Sequence, residues 1–175
     1  KFAKGPELIE RTELTRVQSM SILAGAAMML SLAMGMRQSF GLFQPHMIRE
    51  IGITAGDFSL ALAIQNIVWG ITQPFVGILA DRYGFRKSTL AGCALYIGSL
   101  IIMINATSAF ELILGAGIGV GLALSCTGSN PAMAVTSRTV SARRRSVAIG
   151  TVAAIGSLGL TFASPLAQTL IQTDG

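Results

Sequence analysis

Arg37 stands in apolar sequence, far from Arg16 on one side and Arg49 on the other. A guanidinium keeps its proton in any protein and presents a planar fork that matches a carboxylate through two parallel hydrogen bonds. Its chemistry is therefore capture of a small organic anion rather than bond breaking. Ser59, Asn66, Gly70, Gln73 and Gly77 recur at intervals of three, four or seven, so on a helix they form one stripe. Gly121, Ser125, Gly128 and Ser129 form a similar one. Asn66, Gln73 and Ser125 are candidate substrate contacts beside Arg37, and helix packing accounts for the same stripes equally well.

Bond-making chemistry has little to work with. No Ser, His and acid arrangement suggests hydrolysis, and His46 is the only imidazole, so neither a catalytic residue nor a metal site nor a cofactor is expected. Cys93 and Cys126 read as small apolar residues within helices rather than as a disulfide.

The elements that must position these groups follow from composition. The chain of 175 residues is 51% hydrophobic and 12% charged, more apolar than a soluble domain of this size can hide. Uncharged runs extend over Val17–Met36, Phe58–Ala80, Ser88–Phe110, Leu112–Ser137 and Ser146–Thr173. Each reaches the roughly 18 to 20 residues with which a helix crosses about 30 Å of hydrocarbon. The expectation is an all-α membrane protein, a bundle of about five spans near 17-48, 58-80, 88-110, 112-137 and 146-173, after a cytoplasmic segment 1-16. The first run is too long for a secretory signal and continues through "SFGLF" to Met47 and Ile48.

Charge orients the spans. Lys1, Lys4, Arg11 and Arg16 precede the first; Arg82, Arg86 and Lys87 link the second and third; Arg138, Arg143, Arg144 and Arg145 link the fourth and fifth. The other links hold Arg49 among bases, with Glu50, Asp57 and Glu111. Strict alternation places every basic segment on one side, which predicts a cytoplasmic amino terminus. It also turns the pI near 9.9 into a juxtamembrane effect, not a nucleic-acid face. The chain starts at Lys1 and stops at "QTDG" without a further apolar run, so both ends read as cuts from a longer protein.

The stretch "GILADRYGFRKSTL" then acquires meaning. Gly77, Asp81, Arg82, Gly84, Arg86 and Lys87 spell G-x-x-x-D-R-x-G-x-R-K between the second and third spans. This resembles the signature loop of the major facilitator superfamily of secondary transporters. "MRQSFGLF", "QNIVWGITQPFVGILADRYG" and "RRRSVAIGTVAAIGSLGLTFASPLAQTLI" resemble its bacterial monocarboxylate-transporter-like branch, close to the oxalate and formate exchangers. The resemblance covers nearly the whole chain. It implies the amino-terminal half of a 12-helix fold in a bacterial inner membrane, with the carboxyl-terminal half as partner. It implies carriage of small organic anions by alternating access, with the loop as a conformational latch. Asp81 would there meet a helix of the second half, and Gly77 would let a neighbouring helix come close. Arg37 stands where monocarboxylate carriers have a Lys associated with proton and substrate handling. The sequence departs from the family in lacking an Arg near the start of span four, where it reads "ELILGAGIGVG", and in matching the antiporter Gly-Pro signature only loosely at Gly156, Gly159 and Pro165.

Three further readings complete the set. "GAGIGVG" lies within a span without a preceding strand, so Gly115 with Gly119, and Gly117 with Gly121, are expected to pack helices rather than cradle phosphate. Arg37 also fits two structural roles: snorkelling to the outer interface, or pairing with an acid from the second half. Outside the transporter class, a packing scaffold or assembly subunit and a small multi-copy channel share the same apolar pattern.

Overall fold

The computed structural model describes residues 16–174, so the expected amino-terminal segment lies, except for Arg16, outside the described residues. The elements are α1 (Arg16–Ile51), α2 (Ala55–Tyr83), α3 (Phe85–Ile104), α4 (Ala109–Leu112), α5 (Val120–Thr127), α6 (Ser129–Thr139) and α7 (Arg145–Asp174). A π-helical stretch, Ile113–Gly119, joins α4 to α5, and a 3-10 turn, Ala142–Arg144, leads into α7. The described residues form five helices long and apolar enough to cross a membrane, with Ala109–Thr139 serving as the fourth. Many large apolar side chains point outward, among them Leu32, Ile67, Ile71, Phe75 and Phe162. That is what a lipid solvent permits, since backbone polar groups are satisfied within each helix.

Local chemistry sets the breaks. Thr54 caps α2 by accepting from the Asp57 amide at 3.1 Å, while the Asp57 carboxylate accepts from the Thr54 amide at 2.9 Å. Gly84 separates α2 from α3 with φ +92, a backbone angle that side chains oppose. The third span ends at Ile104, short of the expected Phe110, because Asn105 turns back onto the Ile101 carbonyl and Ser108 caps the next helix. The Glu111 carboxylate accepts from the Thr107 amide at 2.6 Å and closes that corner.

The fourth span is broken rather than straight. Its backbone widens into the π stretch across the glycine run and turns extended at Gly128 (ψ -158) before α6. Pro131 follows, a residue with no amide to donate back to the preceding turn. This span is also the axis of the bundle. Of its most apolar stretch 56% is buried, against 6% for α2, so the other helices gather around it and α2 keeps most of its surface outward.

Small residues let the helices meet. A Cβ on Gly117 would lie 3.1 Å from the Ala61 carbonyl and one on Gly121 2.9 Å from that of Gln65, so this pair seats α2. Gly115 faces Ser99 and Met103, and Gly119 faces Ser99, so that pair seats α3. The glycine run is thus a double packing ridge. Gly35 of α1 meets Gly159 and Ala163 of α7, and the Ser31 hydroxyl donates to the Ile155 carbonyl at 3.1 Å across the same contact.

Candidate anion site and the neighbouring loop

Arg37 projects from α1 toward α2. Its Nη2 donates to Asn66 Oδ1 at 2.6 Å, and its Cζ lies 5.4 Å from the centroid of the Trp69 ring. Asn66 in turn donates from Nδ2 to the Leu62 carbonyl at 2.8 Å, which leaves its oxygen for the guanidinium. Trp69 sits one turn further along α2, so amide and indole act from one helical face. The Arg37 Nε is buried without a hydrogen-bond partner, as is the Tyr96 hydroxyl of α3, which lies within reach of the Arg37 charge.

The electrostatics are unbalanced. Among the described residues the ion pairs are His46–Glu50 and Arg138–Asp81, and neither neutralises Arg37. Asn66 is the twelfth residue of α2, which by helical rise places the contact about 17 Å from the Ala55 end of that helix, within its apolar span. A permanent cation there costs several kcal/mol, by about 3 kcal/mol on insertion scales. One neutral hydrogen bond and a ring face offset part of that cost. What remains is a residual field that favours an anion.

The other expected contacts lie further along α2. Gln73 Oε1 accepts from Asn130 Nδ2 of α6, and the Ser125 hydroxyl pairs with Thr72 while lying 3.1 Å from the Gly121 carbonyl. Ser125 is only 2% exposed and fastens α5 to α2, and together with Gln73 it lines a groove. A groove of about 360 Å3 runs from Gly70, Gln73 and Asn130 past Gly77 to Asp81 and Arg138. Arg37 and Asn66 are not among its lining residues, so the four expected contacts divide into two groups rather than one pocket. Ser59 is exposed.

The loop differs from expectation at its acid. Asp81 Oδ1 accepts from Arg138 Nη2 at 2.8 Å, and Arg138 Cζ lies 5.0 Å from the Phe85 ring centroid. The acid expected to await a helix of a second half is already partnered within this bundle, by the base at the end of α6. Arg82 stacks over Tyr83 at 5.5 Å, and Arg86 and Lys87 are exposed in the first turn of α3. A Cβ on Gly77 would meet nothing within 4 Å, so no described helix exploits that glycine.

Trp69, Tyr96, Asn130 and Arg138 were not singled out as site residues by sequence reasoning. Asn130 had a signal in "SNPA", since Asn-Pro within an apolar run marks a helix break. Trp69 shares a face with Asn66 by its spacing alone. Nothing local to Tyr96 or Arg138 named their partners.

This architecture and loop have known counterparts. The sequence profile described as Major Facilitator Superfamily matches residues 23–175, and the chain belongs to that superfamily of transporters. It is 30% identical to monocarboxylate transporter 3 of Mus musculus over 88% of this chain and 31% of that protein. It is 32% identical to monocarboxylate transporter 11 of Mus musculus over 88% of this chain and 34% of that one. An MFS-type transporter of Gibberella zeae is 32% identical over 81% of the chain and 32% of its own length. The chain thus spans about a third of the relatives it matches. No solved structure matches it significantly.

Proposed function

We propose that this chain is the amino-terminal bundle of a secondary carrier for small organic anions, monocarboxylates first among them, and that Arg37 is the group that binds the carboxylate. The observation that carries this reading is a guanidinium within an apolar span, held by Asn66 and Trp69, with no acid beside it among the described residues. A packing scaffold has no use for that uncompensated charge, and the names of the vertebrate relatives support the substrate class. Two bundles rocking about a central site would expose Arg37 to one face at a time, with the second half supplying the other wall. The loop around Asp81 and Arg138 biases that motion.

The test is anion binding to the full-length protein, using lactate as probe and correcting for the folded fraction. Arg37→Ala abolishes saturable binding and uptake, and Arg37→Lys keeps part of both because a point ammonium lacks the fork. Unchanged affinity in Arg37→Ala would remove this residue from the substrate site. The same reading puts the basic end of the bundle in the cytoplasm of a bacterial cell. In a background without Cys93 and Cys126, an impermeant thiol reagent applied to intact cells labels Thr54→Cys and spares Ser141→Cys. The reverse pattern overturns the orientation.

A further inference from the structure

The basic end of the bundle holds a second cationic site that the transport reading does not use. An open cavity of about 720 Å3 lies between α1, the link after α6 and the start of α7. Arg16 and Arg144 stand in its wall with the hydroxyls of Ser19 and Ser141, above a floor that includes Leu23 and Val147. Neither arginine has an ion-pair partner among the described residues, and neither serine hydroxyl is engaged. Asp81, the described acid at this end, is occupied by Arg138, while Glu50, Asp57 and Glu111 lie at the opposite end of the helices. Arg144 is exposed and lines the cavity from the 3-10 turn, whose Arg144 amide donates to the Ser141 carbonyl at 3.0 Å. The first turn of α7 adds its positive end to the same space.

Depth decides what such a site takes. The uncharged run of α1 begins at Val17, directly after Arg16, and that of α7 begins at Ser146, two residues past Arg144. The arginines therefore stand at headgroup level and the floor at acyl level. Met20 and Val147, both in the cavity, are 71% and 73% exposed, which sets apolar surface open to acyl chains directly beside the two cations. We propose that this cavity binds the phosphate headgroup of an anionic phospholipid between Arg16 and Arg144, with the glycerol and upper acyl chain over Met20, Leu23 and Val147. The two guanidiniums meet the phosphodiester oxygens, the serines donate to the remaining acceptors, and the lipid staples α1 to α7 and the link where the bundle's cytoplasmic-loop end opens.

The test is native mass spectrometry of the detergent-solubilised full-length protein titrated with phosphatidylglycerol or phosphatidylcholine of matched acyl chains. Phosphatidylglycerol is expected to be retained preferentially. Arg16→Gln and Arg144→Gln should each lower that preference about five-fold, near the effect of one interfacial base. Arg16→Lys with Arg144→Lys should retain most of it, which also shows that loss in the glutamine variants is not misfolding. Arg82→Gln with Lys87→Gln, exposed bases of the same end, should leave it unchanged. Equal loss in that control would reduce the effect to diffuse surface charge and overturn the site. Displacement of the lipid by millimolar inorganic phosphate or glycerol phosphate would make the ligand a soluble anion and overturn the lipid assignment. A wild-type protein without preference between the two lipids would do the same.

Discussion

Arg37 and Arg138 both reach the same helix, yet they hold opposite positions in its energetics. Arg138 meets Asp81 at 2.8 Å where both side chains are more than half exposed, 59% and 57%. Arg37 meets a neutral amide at 2.6 Å with part of its guanidinium buried. An exposed ion pair is screened by water and contributes at most about 1 kcal/mol, so the Arg138 contact is easily made and easily released. An unneutralised guanidinium in hydrocarbon is costly to the folded bundle, and such cost persists where function requires the charge. On the proposed reading, that difference suits the loop to switching and the Arg37 site to binding.

The comparison breaks first at Arg37. Arg37→Met is expected to raise the thermal stability of the full-length protein by about 1 kcal/mol or more, because it replaces a half-buried charge that has no acid beside it among the described residues with apolar volume. Stabilisation by added lactate disappears in the same variant, since a ligand stabilises only the state that binds it. A thermal-shift series with and without lactate checks both. If Arg37→Met destabilises and lactate still shifts the transition, the cation is a structural partner and the contrast with Arg138 collapses.

A smaller effect is expected at Asn66. Its oxygen aims the guanidinium, and a hydrogen bond to a charged group contributes about 1.5 to 3 kcal/mol. Asn66→Ala should weaken lactate binding about ten-fold, through loss of aim rather than loss of charge. In the Arg37→Lys background, which keeps part of the binding, it should cost clearly less than ten-fold, because the amide acts by aiming the guanidinium fork. Additive losses would give Asn66 a substrate contact of its own and make the Arg37 site two-pronged.

The smallest stability effect belongs to Asp81→Asn. Folding should change by less than about 1 kcal/mol, as for any exposed pair, while uptake by the full-length protein falls because the balance between inward and outward states shifts. Lactate affinity of the detergent-solubilised protein should stay near that of the wild type. Normal uptake with an unshifted balance would leave the pair a surface contact without a latch role.

Much of this was legible in one dimension because a bilayer imposes one-dimensional rules. Runs of uncharged residues must become helices, since no other element satisfies the backbone in lipid, so the five spans follow from charge spacing. The glycine spacing of 115–121 and the turn at Gly84 are local properties of the same kind, and each has a visible counterpart in the fold. Arg37 stood out for the same reason: a charge within a span is costly at any rotation of the helix.

What the tertiary structure decided is which helices meet and at what rotation. Hydropathy is nearly even around these helices, so it carries little information about which face points to protein and which to lipid. The Trp69 ring over Arg37, the Asn130 amide on Gln73 and the Arg138 guanidinium on Asp81 join residues 32 to 57 positions apart. Those pairings depend on glycines that bring α2 against the fourth span and on the break at Gly128 that re-aims α6. The sequence alone determined that Arg37 falls within a long apolar helix and that Asp81 falls near the end of one. Only the packing decided that Arg37 would be left without a carboxylate among the described residues and that Asp81 would find its base within the same bundle, because partner choice depends on three-dimensional contact rather than on composition or period.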